Sequence, residues 1–162
     1  MKRVLKKFTL CLCLLSLMNL SYAIEQKKDF QDKSITWLSY EQAMKLAQSS
    51  GKYPVLFFTG SNWCIWCLRM EEEILSCPMF IDYAEKNFLM VKVDFPMGVD
   101  LSPEQSKEND ELKLKYEVTG YPTLLVLDKQ GKVLIEDGYM PGGGKEYTLR
   151  LQRQLDKIGK GY

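Results

Sequence analysis

The sequence predicts an α/β domain with a mixed central sheet and helices on both of its faces. Three observations predict it. Apolar runs at 54–59, 88–94 and 124–127 read as buried strands, without the alternation of a sheet that has one wet face. Helix-patterned segments separate the first two runs, which makes those strands parallel. After the third run, Asp128-Lys129-Gln130-Gly131 reads as a hairpin turn and Val133 to Asp137 as the returning strand. At 162 residues and 46% hydrophobic content, the chain is enough for one compact domain and not for two ordinary ones.

The elements follow in order. Lys2, Arg3, Lys6 and Lys7 precede an uncharged, mostly apolar run, Phe8 to Leu20, and the small-residue stretch Ser21-Tyr22-Ala23. That is the layout of a secretory signal peptide cleaved after Ala23. The run is shorter than the ~20 residues of a membrane span, although an uncleaved anchor is an alternative. Cys11 and Cys13 inside it read as apolar filler. Residues 24–34 read as a flexible leader and 35–162 as the domain. Ile35 to Leu38 has the look of a short edge strand, and Ser39 to Gln42 the spacing of a capping box. The helix it opens, to about Gln48, has Ala43, Leu46 and Ala47 on one face. Ile65 to Leu75 has a helical pattern, and Pro78 starts another helix, to about Lys86, with Cys77 near its N-cap. Ser102 caps a helix ending near Tyr116. Gly138 to Gly144 reads as a glycine-rich loop, and Tyr147 to Ile158 as an amphipathic helix with Leu151, Leu155 and Ile158 inward.

Composition excludes some functions. The formal charge is +1, so no face need be strongly basic and a nucleic-acid partner is not expected. Without residues 1–23 the chain keeps 18 basic and 21 acidic side chains, a net charge of −3. It also keeps three cysteines, Cys64, Cys67 and Cys77. Export would put them in an oxidising compartment, where disulfides persist.

The chemistry concentrates in Trp63-Cys64-Ile65-Trp66-Cys67, which follows the first strand and a Gly60-Ser61-Asn62 turn. Two cysteines three apart on a helix share a face and are close enough to bridge. Cys64 would sit at the helix N-terminus, where unpaired N–H groups and the positive dipole end favour a thiolate. Cys67, one turn in, would be shielded. The expectation is an exposed nucleophilic sulfur with a resolving sulfur beneath it. A zinc site needs four ligands, and the sequence has no histidine and only Cys77 as a third mature cysteine, so no metal is expected. A copper carrier would want a His or Met ligand; Met70 is near, but a helical methionine is more often core. Cys77 reads as a small, half-buried side chain, with a third redox thiol as the sharper alternative.

Together, Trp63-Cys64-Ile65-Trp66-Cys67 after an apolar strand and Gly120-Tyr121-Pro122-Thr123 before a hairpin resemble the thioredoxin fold, over roughly residues 37–158. The wording Phe58-Thr59-Gly60-Ser61-Asn62-Trp63-Cys64 is similar to the exported branch of that family. The resemblance implies that Pro122 is a cis-proline opposite the active-site disulfide and that the backbone of Tyr121 pairs with an extended substrate segment. It also implies a redox-active Cys64–Cys67 disulfide and no further cofactor. One departure concerns the buried acid that thioredoxins carry six residues before the first cysteine. Phe58 stands there, so water or a nearby carboxylate such as Glu71 or Glu72 would have to move the proton.

The implied reaction is thiol–disulfide exchange, with Cys64 attacking and Cys67 resolving. Trp63, Ile65 and Trp66 would flank the sulfur with apolar surface for an unfolded segment, Trp63 being the one with a core alternative. With no histidine to stabilise the Cys64 thiolate, the expected potential is thioredoxin-like, on the order of −230 to −280 mV, which makes a reductase. A reductase outside the cytosol needs electrons, so the expected partners are disulfide-containing envelope proteins in the periplasm and a membrane electron donor of the DsbD type. No dimerisation segment is visible, so a monomer is expected. The alternatives are an oxidase, an isomerase, an apocytochrome-thiol reductase (for which the 95–103 insertion is too short) and a non-catalytic binding module.

Overall fold

A computed structural model describes residues 33–159. The expected signal peptide and nearly all of the expected leader lie outside the described residues. Among those residues, no helix is long and apolar enough to cross a membrane.

The chain runs α1 (Tyr40–Ser50), β1 (Tyr53–Thr59), α2 (Ile65–Met70) continued by a π-helical turn (Glu71–Leu75), and α3 (Pro78–Asn87). Then come β2 (Phe88–Asp94), α4 (Pro103–Lys115), β3 (Thr123–Leu127), β4 (Val133–Asp137) and α5 (Gly143–Gly159). The sheet order is β2-β1-β3-β4. β1 is parallel to β2, with Phe57 opposite Lys92 and Thr59 opposite Asp94. β1 is antiparallel to β3, and β3 to β4. The sheet is therefore mixed, with β1 at its centre.

Two apolar layers cover the sheet. On one face Val55 and Phe57 of β1 pack with Met70, Ile74, Phe80, Leu151 and Leu155 from α2, its π turn, α3 and α5. On the other, Leu56 and Phe58 pack with Ala43, Ala47 and Leu112 from α1 and α4. Strand alternation sends successive residues of β1 to opposite layers, so a strand buried on both sides must be apolar throughout.

Local signals explain most boundaries. Ser39 accepts from Gln42 N–H at 3.2 Å while the Gln42 side chain accepts from Ser39 N–H at 3.1 Å, a complete capping box. Ser102 accepts from Gln105 N–H at 3.1 Å, with Pro103 in the first turn of α4. The Asp128 carboxylate accepts from the N–H groups of Gln130 and Lys132 and so closes the hairpin turn.

Four expectations need correction. Ile35 to Leu38 is not a strand: Trp37 makes one isolated bridge with Met90, and Leu38 N–H donates to Met90 O at 2.8 Å. Leu46 is exposed rather than inward, because the two small alanines already fill the contact of α1 with the sheet. The 65–75 helix widens into a π turn after Met70, a change of hydrogen-bond spacing that propensity does not encode. Finally, α5 starts four residues earlier than expected. A Cβ on Gly144 would overlap the Cys77 side chain, so this glycine serves close packing of α5 on the start of α3 rather than a loop. Cys77, unpaired and half-buried, packs against the core there.

At the sheet end of α5, Arg150 pairs with Asp137 at 2.5 Å, and Asp137 also accepts from Gly138 N–H at 2.8 Å. The buried Tyr147 lies beside them. Burial first, and the Asp137 carboxylate second, push its hydroxyl well above the usual tyrosine range. The unfolded chain therefore loses this proton first as pH rises, so stability is full below pH ~10 and falls above it. Urea melts across pH 8–11 should show a shallower alkaline loss for Tyr147→Phe than for the natural protein.

Candidate active site

β1 ends at Thr59, and the chain turns back on itself over Gly60. Gly60 O accepts from Cys64 N–H at 2.9 Å and from Trp63 N–H at 3.2 Å. This turn needs glycine, because a Cβ at residue 60 would overlap the Trp63 indole folded across it. Cys64 is then the N-cap of α2, and its sulfur accepts from Cys67 N–H at 3.2 Å. Cys64 and Cys67 are joined in a disulfide with their Cα atoms 5.2 Å apart.

The sulfurs are less open than the motif suggests. Cys64 is only 7% exposed and Cys67 is fully buried. The open surface belongs to their neighbours: Trp63 is 44%, Ile65 60% and Trp66 49% exposed. Trp63 is therefore not a core residue. Its Nε1–H donates to Phe95 O at 2.7 Å, and its ring meets that of Tyr121 edge-on at 5.8 Å.

The Tyr121–Pro122 peptide bond is cis. These two residues line, with Trp66, Gly138, Tyr139 and Pro141, an open groove of about 470 Å³, to which Trp66 comes from between the two cysteines. The site thus gathers the start of α2, the loop before β3 and the loop after β4. Sequence reasoning named the first two and missed the third. Tyr139 packs on Trp66 with ring centres 5.4 Å apart and donates from its hydroxyl to Glu73 at 2.8 Å. That hydrogen bond is the main cause that raises the Tyr139 hydroxyl above its usual range. Arg69 also lies over the Trp66 ring, at 5.2 Å from its centre. An aromatic between Gly138 and Pro141, in a stretch set down as loop, was the available signal.

Phe58 occupies the position of the family's acid. Phe58 is fully buried in the α1/α4 layer. Glu71 is held by Lys92 at 3.0 Å, and Glu72 uses its backbone carbonyl to accept from Ser76. Asp94, at the end of β2, reaches the active-site turn. It accepts from Ser61 N–H at 2.9 Å and from the Ser61 hydroxyl at 2.6 Å.

Residues 40–150 match the family model of the thioredoxin-like domain. The chain belongs to the thioredoxin-like family. Among curated members, it is 38% identical over 132 residues to disulfide bond reductase DsbH of Chlamydia pneumoniae, covering 82% of this chain and 80% of that one. The solved structure of a DsbH oxidoreductase superposes with a TM-score of 0.74 at 40% identity, over 76% of this chain and 85% of that one. A shorter match, 34% identical over 92 residues, reaches thiol:disulfide interchange protein DsbD of Actinobacillus pleuropneumoniae. It covers 57% of this chain and 14% of that protein. With a Cys64–Cys67 pair in this fold, the family member described here is a thiol–disulfide oxidoreductase of the DsbH type. Such enzymes work through the redox-active disulfide itself.

Restoring the family's acid by Phe58→Asp should not be benign. It would exchange a packed ring for a desolvated carboxylate, at a cost of roughly 3 kcal/mol or more at pH 7. Burial raises the carboxyl pKa, so the unfolded state binds fewer protons and the loss should shrink as pH falls toward 4–5. Urea midpoints at pH 7 and pH 4.5 check both the size and the trend.

Proposed function

We propose that this chain is an exported protein-disulfide reductase. The observation that carries the proposal is the Cys64–Cys67 disulfide at the start of α2, with the groove that Trp66 lines together with cis-Pro122. In the dithiol form, Cys64 thiolate attacks a substrate disulfide. One substrate sulfur leaves as thiolate and a mixed disulfide forms. Cys67 then attacks the Cys64 sulfur, the Cys64–Cys67 bond closes, and the second substrate sulfur leaves. Two electrons pass to the substrate, whose two thiolates take up protons. A dithiol donor then returns the enzyme to its reduced form.

The sites follow from this cycle. Cys64 is the nucleophile and Cys67 the resolving thiol. The Cys67 N–H bond to the Cys64 sulfur at 3.2 Å favours the thiolate, as hydrogen bonds to a charged form do. Trp63, Ile65, Trp66, Tyr121 and Pro122 hold the substrate segment, and Tyr139 joins them by its stack on Trp66.

Two facts support the reducing direction. The protein has no histidine to stabilise the Cys64 thiolate further, and its Chlamydia relative is named a disulfide bond reductase. The signal-peptide pattern of residues 1–23, ahead of a domain from residue 35, supports a periplasmic location. Its substrates are then disulfide-containing envelope proteins, and its electrons come from a membrane donor of the DsbD type.

The test is the redox equilibrium of the Cys64–Cys67 pair in defined thiol buffers, read by the fluorescence of Trp63 and Trp66, with insulin reduction alongside. A thioredoxin-like value, about −230 to −280 mV, and loss of insulin reduction in Cys64→Ser are expected. A value near −120 mV would reverse the direction and make the protein an oxidase.

A further inference from the structure

Three consecutive residues before Cys64 reach across to the segment that leaves β2. Ser61 donates twice to Asp94. Trp63 donates to Phe95 O. Between them, Asn62 binds both backbone polar groups of one residue in the next loop: its Nδ2–H donates to Met97 O at 2.8 Å, and its Oδ1 accepts from Met97 N–H at 2.9 Å. The Asn62 amide thus acts as a strand would, matching donor to acceptor and acceptor to donor. From the other side Asn109, almost wholly buried in α4, donates to Asp94 O at 2.7 Å and is itself held by Gln105.

What this fastening presents is apolar. Met97 is 68% exposed, although its backbone is tied down on both sides of the residue. Asn62, which holds it, stands two residues before Cys64 and next to the half-exposed Trp63. Tyr139 and Pro141 line the groove with Trp66, whereas Met97 is tied to the turn that precedes Trp63.

We propose that Asn62 is a positioning residue that holds Met97 as a substrate-contacting side chain beside Cys64. The reading rests on the reductase activity proposed above and narrows its substrates. The preferred disulfide lies in an extended polypeptide with a large apolar residue next to the target cysteine, for which an unbranched, polarisable methionine is an adaptable contact. A small disulfide without such a residue gains nothing from Met97.

The experiment compares insulin with oxidised glutathione as disulfides for the natural protein and for Asn62→Ala, Asn62→Asp and Met97→Ser. For Asn62→Ala and Met97→Ser, the ratio of kcat/KM for insulin to that for glutathione falls about fivefold, mainly through the insulin KM. Combining the two adds little, because both act on one contact. Asn62→Asp keeps the acceptor for Met97 N–H and loses the donor, so it falls between. An unchanged ratio in both single variants, or an equal fall on both disulfides, overturns the proposal. A natural protein that reduces neither disulfide removes the reductase reading and this inference with it, an outcome visible before any variant is made.

Discussion

The hydrogen bond from Cys67 N–H to the Cys64 sulfur is the contact on which the rest of the site depends. It makes a cysteine the N-cap of α2, a place usually taken by Ser, Thr, Asp or Asn. Helix initiation and the polar contact of the sulfur then become one interaction. Cys67 N–H is shared between Cys64 O at 3.0 Å and the Cys64 sulfur at 3.2 Å, so the backbone turn and the sulfur are held by one donor. The cap works only if residue 64 arrives at the right point, which is the task of the Gly60 turn and of the fully buried β1 behind it.

Around that contact the protein arranges apolar surface rather than charge. Trp63 and Trp66 are both about half exposed, and each is held by a different loop: Trp63 through Phe95 and Tyr121, Trp66 through Tyr139 and Arg69. Exposed aromatics that are also rigid offer contact area at low entropic cost, because little side-chain freedom remains to be lost on binding. Phe58, fully buried in the α1/α4 layer, takes the place of the family's ionisable group.

Much of this was legible in the residues themselves. The Pro54–Thr59 run, the two cysteines three apart, Ser39 with Gln42, and Ser102 with Pro103 each carry a local physical signal that acts within a few residues of its source. The strand at 35–38, the inward place given to Leu46 and the loop at 138–144 were misjudged for a common reason. Each depends on what the segment packs against. Trp37 makes a single backbone bridge to β2, the alanines of α1 already fill its contact, and Gly144 lies against Cys77.

The sequence by itself determined the α/β class, the CxxC pair at a helix start after a buried strand, and the absence of histidine. These follow from composition and short-range periodicity, which need no partner segment. Only the tertiary structure decided that Asp94 would hold Ser61, that Asn62 would hold Met97, and that Tyr139 would pack on Trp66. Those contacts join residues 33, 35 and 73 positions apart in the chain. No local preference selects such pairs, and they form only once the sheet has brought the ends of β1, β2 and β4 to one edge of the domain.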